Sequence, residues 1–113
     1  MGRMYSATFE LVAATAAQDL FEINAPADAA VAVHGLWLSQ SSDVGDAASE
    51  MLNILIHRGS TSGSGGSTPT AAPLSLGDAA FGGTVETNNT TQSTEGTILF
   101  SWAWHIAAGF QWI

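Results

Sequence analysis

The chain has 113 residues, enough for one ordinary domain with a core of its own. It carries no cysteine and no lysine, and ten acids face only Arg3 and Arg58, for a formal net charge of −8. Those counts exclude a disulfide framework and a thiolate metal site. They also argue against nucleic acid and membrane as partners, because phosphates and anionic lipids are held by Lys and Arg. Only 11% of residues are charged, against about 25% in typical soluble domains. So neutral a surface is the kind that neighbours in an assembly cover.

Hydrophobic alternation runs at period two along most of the chain. In "MYSATFEL", Tyr5, Ala7, Phe9 and Leu11 alternate with Met4, Ser6, Thr8 and Glu10, which predicts a half-buried strand. The opening "MGRMYSATFE" has no apolar stretch of the kind that directs secretion, so no signal peptide is expected. "DLFEIN" repeats the alternation, and "APAD" follows as a turn. "AAVAVHGLWLSQSS" predicts a longer strand with two apolar faces, Val31, Val33, Gly35 and Trp37 on one, Ala32, His34, Leu36 and Leu38 on the other.

After a turn at "SDVGDA", "SEMLNILIHRGS" predicts a strand with Leu52, Ile54 and Ile56 inward and Asn53, Leu55 and His57 opposite. The β-branched isoleucines and bracketing turn residues favour strand over helix there. "AAPLSLGDAAFGG" carries a short strand at Leu74 to Leu76, and "TNNTTQSTEG" is polar and turn-rich. In "TILFSWAWHIAAGFQWI" the residues Ile98, Phe100, Trp102, Trp104 and Ile106 share one face, and a turn near Ala107 to Gly109 leads into a last strand. Residues 98 to 113 fall short of the ~20 residues of a spanning helix. The expected fold is one all-β domain over residues 1–113, an antiparallel β-sandwich of jelly-roll type.

The stretch "HRGSTSGSGGSTPTAAP" raises the possibility of a phosphate-binding loop. A Walker loop needs a lysine, which the chain lacks, and "GSGGST" has neither the spacing nor the following helix of a dinucleotide fingerprint. Residues 59–97 therefore predict a long Gly/Ser/Thr-rich surface loop with little regular structure, placed to contact a partner.

Signals for catalysis are missing. His34, His57 and His105 show no metal-binding spacing. Asp43, Asp46 and Glu50 form the densest acidic patch, without the calcium-loop pattern. No nucleophile elbow occurs and nothing marks a carboxylate pair. The sequence predicts a non-enzymatic protein with no catalytic residue, cofactor or metal. The N-x-T triplets at Asn88 and Asn89 read as a polar turn. Four tryptophans, Trp37, Trp102, Trp104 and Trp112, serve either a core or subunit interface or, for Trp102 and Trp104, stacking on sugar rings.

The segments "MYSATFELVAATAAQDLFEI", "AAVAVHGLWLSQSSDVGDAASEMLNILIHRGSTSGSGGSTPT" and "DAAFGGTVETNNTTQSTEGT" resemble small proteins encoded by tailed bacteriophages and prophages. That resemblance implies a virion component, assembled in the host bacterial cytoplasm, of the type of capsid decoration (cement) proteins. Its partner would be the phage major capsid protein, and it would be a homo-oligomer, a trimer by preference. Candidate contact residues are Arg58, Ser62, Thr68, Pro69 and Phe81 in and beside the loop, with Trp102, Trp104 and Trp112 near the C-terminal end. The alternatives are a tail or tail-tip structural protein and a carbohydrate-binding module.

Overall fold

The computed structural model describes residues 2–8, 17–39, 51–59, 61–105 and 110–112. All regular structure among them is β, in eight strands: β1 (Tyr5–Ser6), β2 (Asp19–Asn24), β3 (Leu36–Leu38), β4 (Met51–Gly59), β5 (Ala72–Pro73), β6 (Thr84–Asn89), β7 (Glu95–His105) and β8 (Phe110–Trp112). They pair antiparallel as β1 with β5, β2 with β6, β3 with β8 and β4 with β7. The chain gathers into two compact units, one joining Met1–Val31 to Ser60–Thr94, the other Ala32–Gly59 to Glu95–Ile113.

In the first unit, β2 is the strand that "DLFEIN" predicts, in register with β6 from Asn24↔Thr84 to Asp19↔Asn89. Its partner corrects an expectation, because "TNN" belongs to a strand and not to a turn. Alternation persists there through polar residues: Val85, Thr87 and Asn89 are buried, while Thr84, Glu86 and Asn88 are not. Asn88 takes a left-handed φ of 56°, a conformation asparagine accepts more readily than most residues.

The glycine-rich stretch is likewise ordered, which corrects the long irregular loop expected over residues 59–97. Ser67 and Thr87 exchange backbone hydrogen bonds of 2.9 and 2.8 Å, and Ser64 and Thr91 exchange two of 3.0 Å. The segment thus runs antiparallel to β6 and the residues just after it through two isolated bridges. A β-carbon at Gly66 would collide with the Thr87 and Asn88 carbonyls, so only glycine allows this approach.

The strand expected at Leu74–Leu76 lies instead at Ala72–Pro73. Leu74 continues the ladder by one hydrogen bond, its N–H donating to the Met4 carbonyl at 2.9 Å, and then the chain turns, with the Asp78 N–H donating to the Ser75 carbonyl at 3.0 Å. The Gly77-Asp78 pair supplies the turn chemistry that ends the strand. Tyr5 supports this turn, its hydroxyl donating to the Ala79 carbonyl at 2.8 Å and its ring packing 5.2 Å from that of Phe81.

In the second unit, β4 is a strand, as its isoleucines predict, and pairs with β7 from Met51↔His105 to Gly59↔Glu95. The pairing Ile56↔Phe100 is followed by His57↔Ile98, so Leu99 is an inserted residue, and a second insertion falls between Ile98 and Glu95. Both bulges lie in β7. The Gly96 backbone passes so close to the Arg58 carbonyl that a side chain there has no room. Of the long strand expected over "AAVAVHGLWLSQSS", Leu36–Leu38 is strand among the described residues, and its last three residues, 40–42, lie outside them. Residues 29–34 are exposed and join no ladder, in keeping with the weak strand propensity of alanine.

Among the described residues the buried apolar side chains are Ile54, Ala71 and Val85, and the buried polar ones are Thr87 and Asn89. The remainder of the first expected strand past Thr8, the turn and acidic patch of Asp43, Asp46 and Glu50, Ile106, and the turn at residues 107–109 lie outside the described residues.

Candidate functional site

Two surfaces concentrate the chemistry, one in each unit. The first is a polar network where the glycine-rich segment meets β2 and β6. Glu22 Oε2 accepts the Gly63 N–H at 2.8 Å and the Asn89 side-chain amide at 3.1 Å. Its Oε1 accepts the Asn24 amide at 3.4 Å, and the Ser62 hydroxyl also donates to the carboxylate. Asn89, 1% exposed, accepts the Gly66 N–H at 3.2 Å through Oδ1. Asp19 Oδ2 accepts the Ser93 N–H at 2.7 Å, Gln18 donates to Asn88, and the Thr61 and Thr94 hydroxyls bond to each other.

Burial by itself pushes the Glu22 carboxyl up. The hydrogen bonds from Gly63, Ser62, Asn24 and Asn89 outweigh it and hold the group below its ordinary value. These four donors make the Glu22 carboxylate the acceptor at the centre of the network. No cluster of three His, Asp or Glu able to hold a metal occurs among the described residues.

The second surface is the β4/β7 ribbon. Ile54, 8% exposed, stands opposite Trp102, which is 58% exposed. The Phe100 and Trp102 rings lie nearly parallel at 13°, with centroids 6.4 Å apart. Ile98 and Leu99, around the first bulge, are about half exposed, and Leu55 on the other face is 37% exposed. His57 Nδ1 is buried without a hydrogen-bond partner.

The residues singled out from sequence divide between the two units. Ser62, Thr68, Pro69 and Phe81 fall in the first, and Arg58, Trp102, Trp104 and Trp112 in the second. Ser62 is exposed and spends its hydroxyl on Glu22; Thr68 is exposed, and Pro69 and Phe81 are half-buried. Arg58 is an exposed residue of β4. Trp104 and Trp112 occupy register positions opposite Leu52 and Leu36. Sequence reasoning missed Glu22, Thr87 and Asn89. The signal was the unbroken alternation of "TVETNN", hidden because its inward letters after valine are polar. The N-x-T triplet at Asn89 has a buried, doubly hydrogen-bonded side chain, and so is closed to glycosylation in this fold.

Comparison with known proteins gives no match, whether to family models, to curated sequences or to solved structures.

Proposed function

We propose that the chain is a non-enzymatic structural protein of a tailed-phage particle, a decoration protein that binds the outside of the head and stabilises contacts between major capsid proteins. The observation that carries this reading is the exposed apolar surface of the second unit. Trp102, Ile98, Leu99 and Trp37 (62% exposed) stand open to water on two-stranded ladders, with Ile54 the buried apolar side chain among the described residues of that unit. Ribbons of two strands are marginal in water alone. Association with a large neighbour supplies the missing burial, and a ligand of the assembled shell stabilises it by mass action. The resemblance of the sequence to small phage and prophage proteins and its acidic, lysine-free composition support the same assignment. In this reading the ladders belong to a jelly-roll-like sandwich, and the protein resides in the virion.

The test is localisation by cryo-electron microscopy or immunogold on purified particles of the encoding phage. Regular copies over the head are expected. Density confined to the tail would replace the reading with a tail or tail-tip protein, and absence from the particle would overturn it.

A second reading has its own observation, the near-parallel Phe100 and Trp102 rings with Trp102 open to solvent. Such a platform suits stacking on a sugar ring. Tryptophan fluorescence titrated with host polysaccharide tests it, and no change up to millimolar sugar would exclude it.

A further inference from the structure

The outer side of β4 presents nine consecutive residues, Met51–Gly59, whose backbone donors and acceptors on that side meet no other strand among the described residues. Natural sheets protect such edges with lysine, proline, inward charges or bulges. The β7 side of the ribbon has its two bulges. The β4 strand has no insertion, no proline, no lysine and no acid; its single formal charge is Arg58. In a chain with ten carboxylates, this stretch carries none.

We propose that β4 pairs with β4 of a second copy about a two-fold axis, giving an antiparallel four-stranded sheet ordered β7, β4, β4 of the partner, β7 of the partner. The strand is self-complementary in that arrangement. With the axis at Leu55, Ile54 faces Ile56 of the second copy on one surface and Asn53 faces His57 on the other, so the apolar alternation stays in phase across the new seam. The two arginines at position 58 then lie six residue steps apart, about 20 Å, too far to oppose the pairing. A ribbon of two strands becomes a sheet of four, which is past the size at which sheets become stable on their own. Isologous edge pairing requires a two-fold axis, so the unit is a dimer and not the trimer expected from the resemblance.

Sedimentation equilibrium and light scattering on the purified chain test the proposal without any particle, so a negative result here leaves the decoration reading standing. The expected mass at micromolar concentration is twice 11.6 kDa. Dimerisation should tighten with added salt, because screening reduces the repulsion between two chains of net charge −8. Leu55→Lys places two cations at the axis and should weaken the dimer at least tenfold while leaving the strand circular-dichroism signal in place. Because the chain has no cysteine, Leu55→Cys should close a disulfide across the axis on oxidation. Ser101→Cys, on the β7 strand directly opposite Leu55, should not. A monomer up to about 1 mM, a trimer mass, or equal cross-linking of the two cysteine variants would overturn the proposal.

Discussion

Replacing Asn89 with alanine tests whether the first unit is held by its polar network. The side chain is almost wholly enclosed and makes two hydrogen bonds, one from its amide to Glu22 Oε2 at 3.1 Å and one from the Gly66 N–H to its Oδ1 at 3.2 Å. Alanine removes both and leaves a small cavity. A net hydrogen bond is worth about 1 kcal/mol, more with a charged partner, so the expected loss is roughly 2–3 kcal/mol. On a domain of this size that lowers the melting temperature by roughly 10–20 °C. Hydrogen exchange gives the local readout, since the Gly63 and Gly66 amides should lose protection together. Asn89→Asp adds a sign test: it sets a second carboxylate against Glu22, so its penalty should exceed that of alanine at neutral pH and shrink in acid, when the pair takes up a proton. Urea melts within 0.5 kcal/mol of the parent for Asn89→Ala, or unchanged protection at Gly63 and Gly66, would refute the network as the holding element.

The parent protein should show the opposite response to acid. Glu22 is held below its ordinary value of about 4.5, so its contribution to stability is complete above that pH and fades as pH falls below it; Glu22→Gln should flatten this part of a pH series of urea melts. Gly66→Ala should cost about 2 kcal/mol or more, because its β-carbon meets two carbonyls, whereas Gly77→Ala, with nothing within 4 Å, should change stability by less than about 1 kcal/mol in the same melts. His57→Leu should raise stability by about 1 kcal/mol in thermal melts, because it removes a buried ring nitrogen that finds no partner.

Much of this architecture is legible where alternation is written in apolar letters. "DLFEIN" gives β2 to the residue, and the isoleucines of "MLNILIH" identify β4 as a strand. Legibility fails where the partner supplies the reason. Asn89 is inward because Glu22 and the Gly66 backbone offer its side chain hydrogen bonds from 23 or more positions away, and Thr87 is enclosed where its backbone pairs with that of Ser67. No local pattern encodes that, and turn propensity points the wrong way. "AAVAVHG" errs in the other direction: its alternation is clear, yet residues 29–34 find no strand to pair with among the described residues, and alternation without a ladder does not make a strand. For the candidate contacts, composition located tryptophan-rich β7 but could not tell that Trp102 is open while Ile54 opposite it is covered.

The two units distribute polarity in an order that explains the chain's low charge. In the first, the most enclosed side chains are polar, Asn89 and Thr87, and their hydrogen bonds depend on glycines that let backbone approach backbone. That arrangement is specified by geometry and needs few apolar residues. In the second, the apolar residues are present but stand outside. Burying the exposed part of Trp102, roughly 150 Å², gains about 3–4 kcal/mol at 25 cal/mol per Å². Ile98 and Leu99, about half exposed on the same strand, add to that term, and surface buried on the partner must supplement it to offset the entropy of docking. A lysine-rich surface would dilute that drive with desolvation cost. In the proposed decoration role, the absence of lysine and the exposure of Trp102 would serve one end, a surface that a neighbour covers.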